Sequence, residues 1–281
     1  HKIYGASKTS EEFITKSKVA LDPKFQYLSL KRQYEAGNKK SEFLSVLLKS
    51  AIQNQDKQFI EKLATEYYST QKDLLTKENI MMLAVTTRKS SDPGFAVFKN
   101  NSDKADLTIG KGKSAAIIRT ILFDEIALAF IRPGGTKTYY GGGMIGYSGT
   151  LNEVVDWKGL KIKLDSLYPE LSEEIMIFAK IGYFEMAKNW AEYSSAVSEL
   201  LAKYNNRIST DDLNQYAGLI LWNSDEDKKL MCLNKYSNLL YKSGDKDGAL
   251  KLVEGAIELT SGKEKHFVEL LEKMKKGEKT W

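Results

Sequence analysis

The chain has 281 residues, 42% of them hydrophobic, which is enough apolar material for one large domain or two ordinary ones. Its net charge is only +5 with acids and bases interspersed, and this excludes the basic footprint of a nucleic-acid-binding protein. A single cysteine and two distant histidines exclude an internal disulfide, a C-x-x-C pair and a cysteine zinc cluster, so we predict no metal and no cofactor.

The first predicted elements are a short strand and a capped helix. Residues 1–6 alternate weakly and end in a Gly-Ala pair, as a strand leaving a sheet does. Thr9 stands three residues before Glu12, which is the spacing of a capping box. Because a lone strand has no partner for its backbone groups, we expect residues 1–22 to be the remnant of a neighbouring fold.

Four helices are predicted next. The apolar spacing places them over residues 25–36, "SEFLSVLLKSAIQNQ", "DKQFIEKLATEYYSTQ" and "TKENIMMLAVTT". Gly37 is expected to end the first helix. Ser41 is the predicted N-cap of the second helix and Thr76 that of the fourth.

A more apolar helix ends the predicted N-terminal helical region, which covers residues 23–132. The stretch "SDPGFAVFKNN" before this helix is predicted to be a break and a short turn. The helix runs from about Ser114, its predicted N-cap, to Arg132. Three charged residues near its middle would be costly at mid-bilayer depth, so we predict a buried core helix and no membrane span.

Residues 133–150, "PGGTKTYYGGGMIGYSGT", are rich in glycine and tyrosine. Long loops are often functional, and Tyr139, Tyr140 and Tyr147 could offer flat contact surfaces to a partner. We favour the alternative of a short glycine-rich hairpin that seals one end of the helical array. Its G-x-G-x-x-G pattern lacks the preceding buried strand and the following helix of a dinucleotide site.

Helical patterns fill residues 151–281, and one spacing recurs within them. Gly244 is followed by Ala249 five residues on and by Ala256 seven further, and the same offsets to small residues follow Gly182. A glycine at the end of one helix and two small residues on the next allow the pair to pack closely. Stacked pairs of this kind bury a continuous core.

The Gly244 stretch resembles a tetratricopeptide repeat. The residues that carry the resemblance are Ser237, Leu240, Gly244, Asp245, Ala249, Ala256 and Ile257-Glu258-Leu259. Val253 stands where the family has an aromatic residue, and Ser261 replaces the closing proline. The resemblance implies an all-α fold, a right-handed array of helical hairpins whose stacked first helices form an extended concave surface.

The opening "HKIYGASKTSEEFITKSKVAL" resembles the end of a thioredoxin fold. The matching features are Ile3, Gly5-Ala6, the capped start at Thr9 and Phe13. Joined to the helical continuation, it resembles a group of thioredoxin-like proteins of Bacteroidetes envelopes, in which a helical region follows the thioredoxin domain. This implies a thiol-disulfide oxidoreductase parent in the periplasm or outside the cell, with its redox cysteines upstream of this sequence.

We therefore expect a non-catalytic region that holds a protein or peptide partner or positions a substrate, in an oligomeric state that the sequence does not specify. The candidate contact residues, chosen by helix position, are Asn214, Tyr216, Lys235 and Tyr236, together with the loop tyrosines. Two alternatives stay open. One is an enzyme that binds a phosphate-bearing ligand through the glycine-rich loop. The other is a carbohydrate- or ligand-capturing helical protein with Trp157 or Trp222 as stacking platforms.

Overall fold

The computed structural model describes residues 9–21, 26–139, 145–223 and 226–280. The chain divides into two compact units, His1–Thr108 and Ile109–Trp281. The long apolar helix and the glycine-rich segment therefore group with the C-terminal helices. The strand expected at residues 1–6 lies outside the described residues.

The first unit is built from helices joined by short connections. They are α1 (Ser10–Leu21), α2 (Tyr27–Glu35), α3 (Ser41–Gln53), α4 (Lys57–Ser69), α5 (Lys77–Thr86), α6 (Pro93–Asn100) and α7 (Ser102–Ile109). Leu47, Leu48 and Leu63 are completely buried in its core. The four helices predicted between residues 25 and 87 are thereby confirmed.

Two of the predicted helix starts in this unit are confirmed. The Glu12 amide donates to Thr9 Oγ1 at 3.1 Å, and the Asn79 amide donates to Thr76 Oγ1 at 3.3 Å. Each bond satisfies one of the amides that a helix N-terminus leaves without an intrahelical acceptor. The α1 and α5 starts were therefore readable from local sequence.

Two other expectations for this unit are wrong. Lys40 is the N-cap of α3, and Ser41 is its first helical residue. The stretch predicted as a break forms α6, with Pro93 in its first turn and Phe95 and Phe98 buried. Proline is tolerated at the start of a helix because the amide it lacks would have no intrahelical acceptor there.

The second unit begins with the predicted buried helix. It consists of α8 (Lys113–Leu122), a π-helical turn (Phe123–Ala127) and α9 (Leu128–Ile131). Its N-cap is Gly112 and not the predicted Ser114. Gly112 has φ +76°, and a Cβ there would lie 2.6 Å from the Ile208 carbonyl carbon, so only glycine fits this position.

The glycine-rich segment forms the hairpin that we favoured. Strand β1 (Lys137–Tyr139) pairs antiparallel with β2 (Ile145–Tyr147), and Thr138 lies opposite Gly146. The residues that connect the strands, 140–144, lie outside the described residues. The predicted hairpin is confirmed in its strands.

The rest of the second unit is an all-α array of helical hairpins, as predicted. Its helices are α10 (Trp157–Leu167), α11 (Ser172–Met186), α12 (Trp190–Tyr204), α13 (Thr210–Asn223), α14 (Glu226–Ser243), α15 (Lys246–Leu259) and α16 (Lys265–Lys275), with a 3-10 turn at Asn205–Arg207. Residues from α11 to α16 share one apolar core.

The hairpin of α14 and α15 follows the predicted spacing. Gly244 has φ +99°, and the Asp245 side chain accepts from the Gly248 amide at 2.9 Å to cap α15. Ala249 and Ala256 are completely buried. A left-handed glycine, an Asp cap and two small core residues therefore form this hairpin, as the repeat-like pattern indicated.

The second occurrence of the spacing was read in the wrong register. Gly182 lies inside α11, where a Cβ would sit 2.7 Å from Phe123 Cε2. The left-handed residue between α11 and α12 is Lys188, with φ +55°, and Asn189 caps α12. Gly182 thus serves the close packing of α11 on the π turn and does not end a helix.

Candidate functional site

A cavity of about 390 Å³ lies between α12 and α14 in the second unit. We call it the α12–α14 groove. Leu201 and Leu239 supply apolar wall, and the polar lining includes the amides of Asn234 and Asn238 and the ammonium of Lys235. Ligand sites in proteins combine this range of volume with a few placed polar groups.

The two faces of α14 explain how the sequence builds the groove. Leu233, Ser237 and Leu240 are buried, and they recur at the spacing of one helical face. Asn234 and Asn238 lie one turn apart and both line the groove. The helical period thus separates a core face from a polar groove face on one element.

Asn238 has one oxygen that no group in the described chain satisfies. Its Nδ2 donates to the Asn234 carbonyl at 2.8 Å and to Asn234 Oδ1 at 3.0 Å. Its own Oδ1 is buried without a hydrogen-bond partner among the described residues, and so is Thr280 Oγ1, which also lines the groove. Since nearly all buried polar atoms are hydrogen-bonded, to protein or to water, this acceptor leaves a place in the groove for an N–H or O–H donor from outside the described residues.

Lys235 gives the lining of the groove a positive charge, and the other lining residues are neutral. Lys235 is exposed on α14, and no acidic residue is among the described residues that line the groove. An ammonium has three donor hydrogens and no acceptor. The groove therefore offers both donors and acceptors and favours a ligand without positive charge near Lys235.

The structure separates the candidate contact residues of the helices. Lys235 lies in the groove and Asn214 is exposed on α13, but Tyr216 and Tyr236 are buried, with 5% and 3% exposure. Neither tyrosine is therefore exposed, although Tyr236 also lines the groove, and a partner contact by these residues stays a prediction. Each turns inward and packs in the shared core, and burial raises the pKa of the Tyr216 hydroxyl.

The loop tyrosines give a mixed result. The Tyr139 side chain and all of Tyr140 lie outside the described residues. Tyr147 is half-buried, and its ring meets that of Phe123 edge-on at 6.3 Å between centroids. Tyr147 therefore packs the hairpin against the π turn, which agrees with a sealing role for the hairpin.

An ion pair fastens the same hairpin to the same turn. Lys137 Nζ lies 2.6 Å from Asp124 Oδ2, and Lys137 is only 9% exposed. Burial raises the pKa of the Asp124 carboxyl above its ordinary value, although the hydrogen bond from Lys137 acts in the opposite direction. The hairpin is thus held by a partly desolvated pair as well as by aromatic packing.

A buried ionic cluster joins α8 to α11 and α13. Arg119 is 2% exposed and lies 2.9 Å from both Glu174 Oε1 and Asp212 Oδ2. Its Nη1 also donates to the Arg207 carbonyl at 3.2 Å, and Arg207 Nε lies 3.0 Å from Glu174 Oε2. Glu174 and Asp212 lie in the first turns of α11 and α13, and local sequence cannot reveal their common partner because it lies 55 and 93 residues away.

The carbohydrate alternative has one testable platform in the structure. Trp157 is half-buried and packs edge-on against Tyr183, with ring centroids 5.5 Å apart. The Trp222 side chain lies outside what the structure describes.

The described part of the chain contains neither a cluster of metal ligands nor a helix that could span a membrane. Within residues 9–21, 26–139, 145–223 and 226–280, no three His, Cys, Asp or Glu side chains are grouped so that they could hold a metal ion. Every helix in these ranges is too short or too polar to cross a bilayer.

The chain was compared with known proteins at three levels. It matches no protein-family model, no curated protein and no solved structure.

Proposed function

We propose that this chain is a helical binding module that holds an extended peptide segment of a partner protein in the α12–α14 groove. The observation that carries the proposal is the buried, unpartnered Oδ1 of Asn238 beside Lys235 in a cavity of about 390 Å³. An extended peptide presents an N–H and a C=O at each residue, so it can donate to Asn238 and accept from Lys235.

The resemblance of residues 1–22 to the end of a thioredoxin fold extends the proposal. We infer that the region serves a periplasmic or secreted thioredoxin-like thiol-disulfide oxidoreductase. In that setting the groove would hold a polypeptide substrate or partner near a redox site supplied from outside this sequence. The region itself would bind and position, without catalysing a reaction.

The test is selection of a random 12-residue peptide library on the immobilised chain, followed by fluorescence anisotropy with the enriched peptides. Lys235→Glu and Asn238→Leu should each weaken binding at least tenfold, because each removes a hydrogen bond that the ligand makes. Lys251→Glu, an equal charge reversal at an exposed position of α15, is the matched control and should leave affinity unchanged. Enriched peptides that bind both groove variants like the wild type would refute the assignment of the site.

A further inference from the structure

The segment that follows α16 turns back and reaches the α12–α14 groove. The Gly277 amide donates to the Met274 carbonyl at 3.1 Å, and the Glu278 amide donates to the Lys273 carbonyl at 3.0 Å. Gly277 has φ +76°, the left-handed conformation that reverses a chain after a helix. Three residues later Thr280 lines the groove together with residues of α12 and α14.

We propose that residues 278–280, which we call the strap, regulate access to the α12–α14 groove, whose wall includes Thr280. The proposal rests on the proposed function for the identity of the competitor, a peptide segment of a partner protein. Because the strap and the peptide would share the groove, the peptide has to displace the strap before it can bind fully.

The contacts of the strap show why it can be displaced. Thr280 Oγ1 and Asn238 Oδ1 line the same groove, and both are buried without a hydrogen-bond partner among the described residues. A buried polar atom without a partner costs free energy that a better-matched ligand recovers. Thr280 thus lines the groove without satisfying Asn238, and a peptide that donates to Asn238 gains a bond that the strap does not make.

The strap competes through its tether. A segment joined covalently to α16 has an effective concentration on the order of millimolar at the groove, so even weak contacts keep it in place. Removing the strap should therefore increase the apparent affinity of any peptide that needs the covered part of the groove. The increase in apparent affinity equals the factor by which the strap reduces the fraction of chains whose groove is open.

The experiment compares the full chain with a chain that ends at Gly277. The shortened chain keeps the bond from Gly277 to Met274 that closes α16. The probe is the fluorescein-labelled peptide KGEKT, which has the sequence of residues 276–280. We expect it to bind the shortened chain at least tenfold more tightly than the full chain.

Two further measurements keep the outcome interpretable. Thr280→Arg in the full chain adds a second cation to the lining that contains Lys235, and it should release the strap without shortening the chain. This variant replaces the shortened chain if the shortened chain does not fold. Equal binding of KGEKT and of library peptides to full, shortened and Thr280→Arg chains would overturn the strap and leave the peptide groove standing. Binding of KGEKT to the shortened chain, with no library peptide bound by any chain, would support the strap and refute the proposed function.

Discussion

Replacing Arg119 by methionine tests what holds α8 against α11 and α13. The guanidinium is 2% exposed and bonds two carboxylates at 2.9 Å, one of which, on Glu174, is 3% exposed. Removing one partner of a buried pair costs about 3–5 kcal/mol because an uncompensated charge remains. Glu174 keeps Arg207 at 3.0 Å and Asp212 is 23% exposed, so we expect a loss of about 3 kcal/mol, the lower end of that range.

A double variant of Arg119 and Glu174 distinguishes the net contribution of the ion pair from the cost of a buried charge that has lost its partner. Glu174→Met alone should also cost about 3 kcal/mol. The variant with both Arg119→Met and Glu174→Met should lose no more than either single change, because buried ion pairs are often replaced by apolar residues at little cost. Arg119 Nε has no hydrogen-bond partner among the described residues, so the wild-type cluster is itself incompletely satisfied.

The assay is urea unfolding followed by tryptophan fluorescence. All four tryptophans lie in the second unit, so the signal reports the unit that contains the cluster. A loss under about 1 kcal/mol for Arg119→Met would show that the cluster does not hold these helices together. A double variant that loses the sum of both single changes, about 6 kcal/mol, would show that the two side chains are not coupled.

Three other changes test packing, backbone and burial in the same unit. Gly182→Ala should lower the free energy of unfolding in urea by about 1–3 kcal/mol, because the new Cβ lies 2.7 Å from Phe123 Cε2. The control Gly255→Ala, with no atom within 4 Å of its Cβ, should not destabilise the unit. Lys188→Gly should stabilise by up to about 1 kcal/mol, since Lys188 has φ +55°, and an unchanged urea midpoint would contradict this. Burial raises the pKa of Glu185, so ionisation of this residue lowers the stability of the wild type as pH rises from the ordinary glutamate pKa through the raised one. The urea midpoint of Glu185→Gln should therefore increase relative to that of the wild type between pH 4 and pH 7. A difference in midpoint that stays constant over this range would refute the reasoning.

The parts of the fold that the sequence predicted are those fixed by contacts within one turn. Thr76 and the Asn79 amide are three residues apart, and so are Asp245 and the Gly248 amide. Such caps depend on the local chain, so they can be read before any tertiary structure is known. The same holds for Gly37, whose φ of +94° follows α2 as predicted.

The turns after α3 and α11 contain a left-handed residue other than glycine, and the one after α11 was misread for this reason. Gln55 and Lys188 adopt φ +57° and +55°, and each is followed by a cap, Asp56 or Asn189. Glycine is the usual residue at such a position, so a search for glycine selected Gly182, which is six residues too early. The signal that was available is the Asp or Asn cap, because it remains when the left-handed residue is not glycine.

The groove could not be predicted from the residue pattern of a single helix. Periodicity can show that Lys235 and Tyr236 point about 100° apart, yet it cannot show which direction is core, since a tyrosine suits either face. The packing of α12 determines that direction. In sequence α12 is separated from α14 by all of α13, yet it lines the same cavity and contributes Leu201 to it. Asn238 becomes an unsatisfied acceptor only after these two helices and Thr280 enclose it. The feature that carries the proposed function is thus a product of long-range packing, and a variant that opens the groove, such as Leu201→Ala, should weaken peptide binding even though no polar contact is removed.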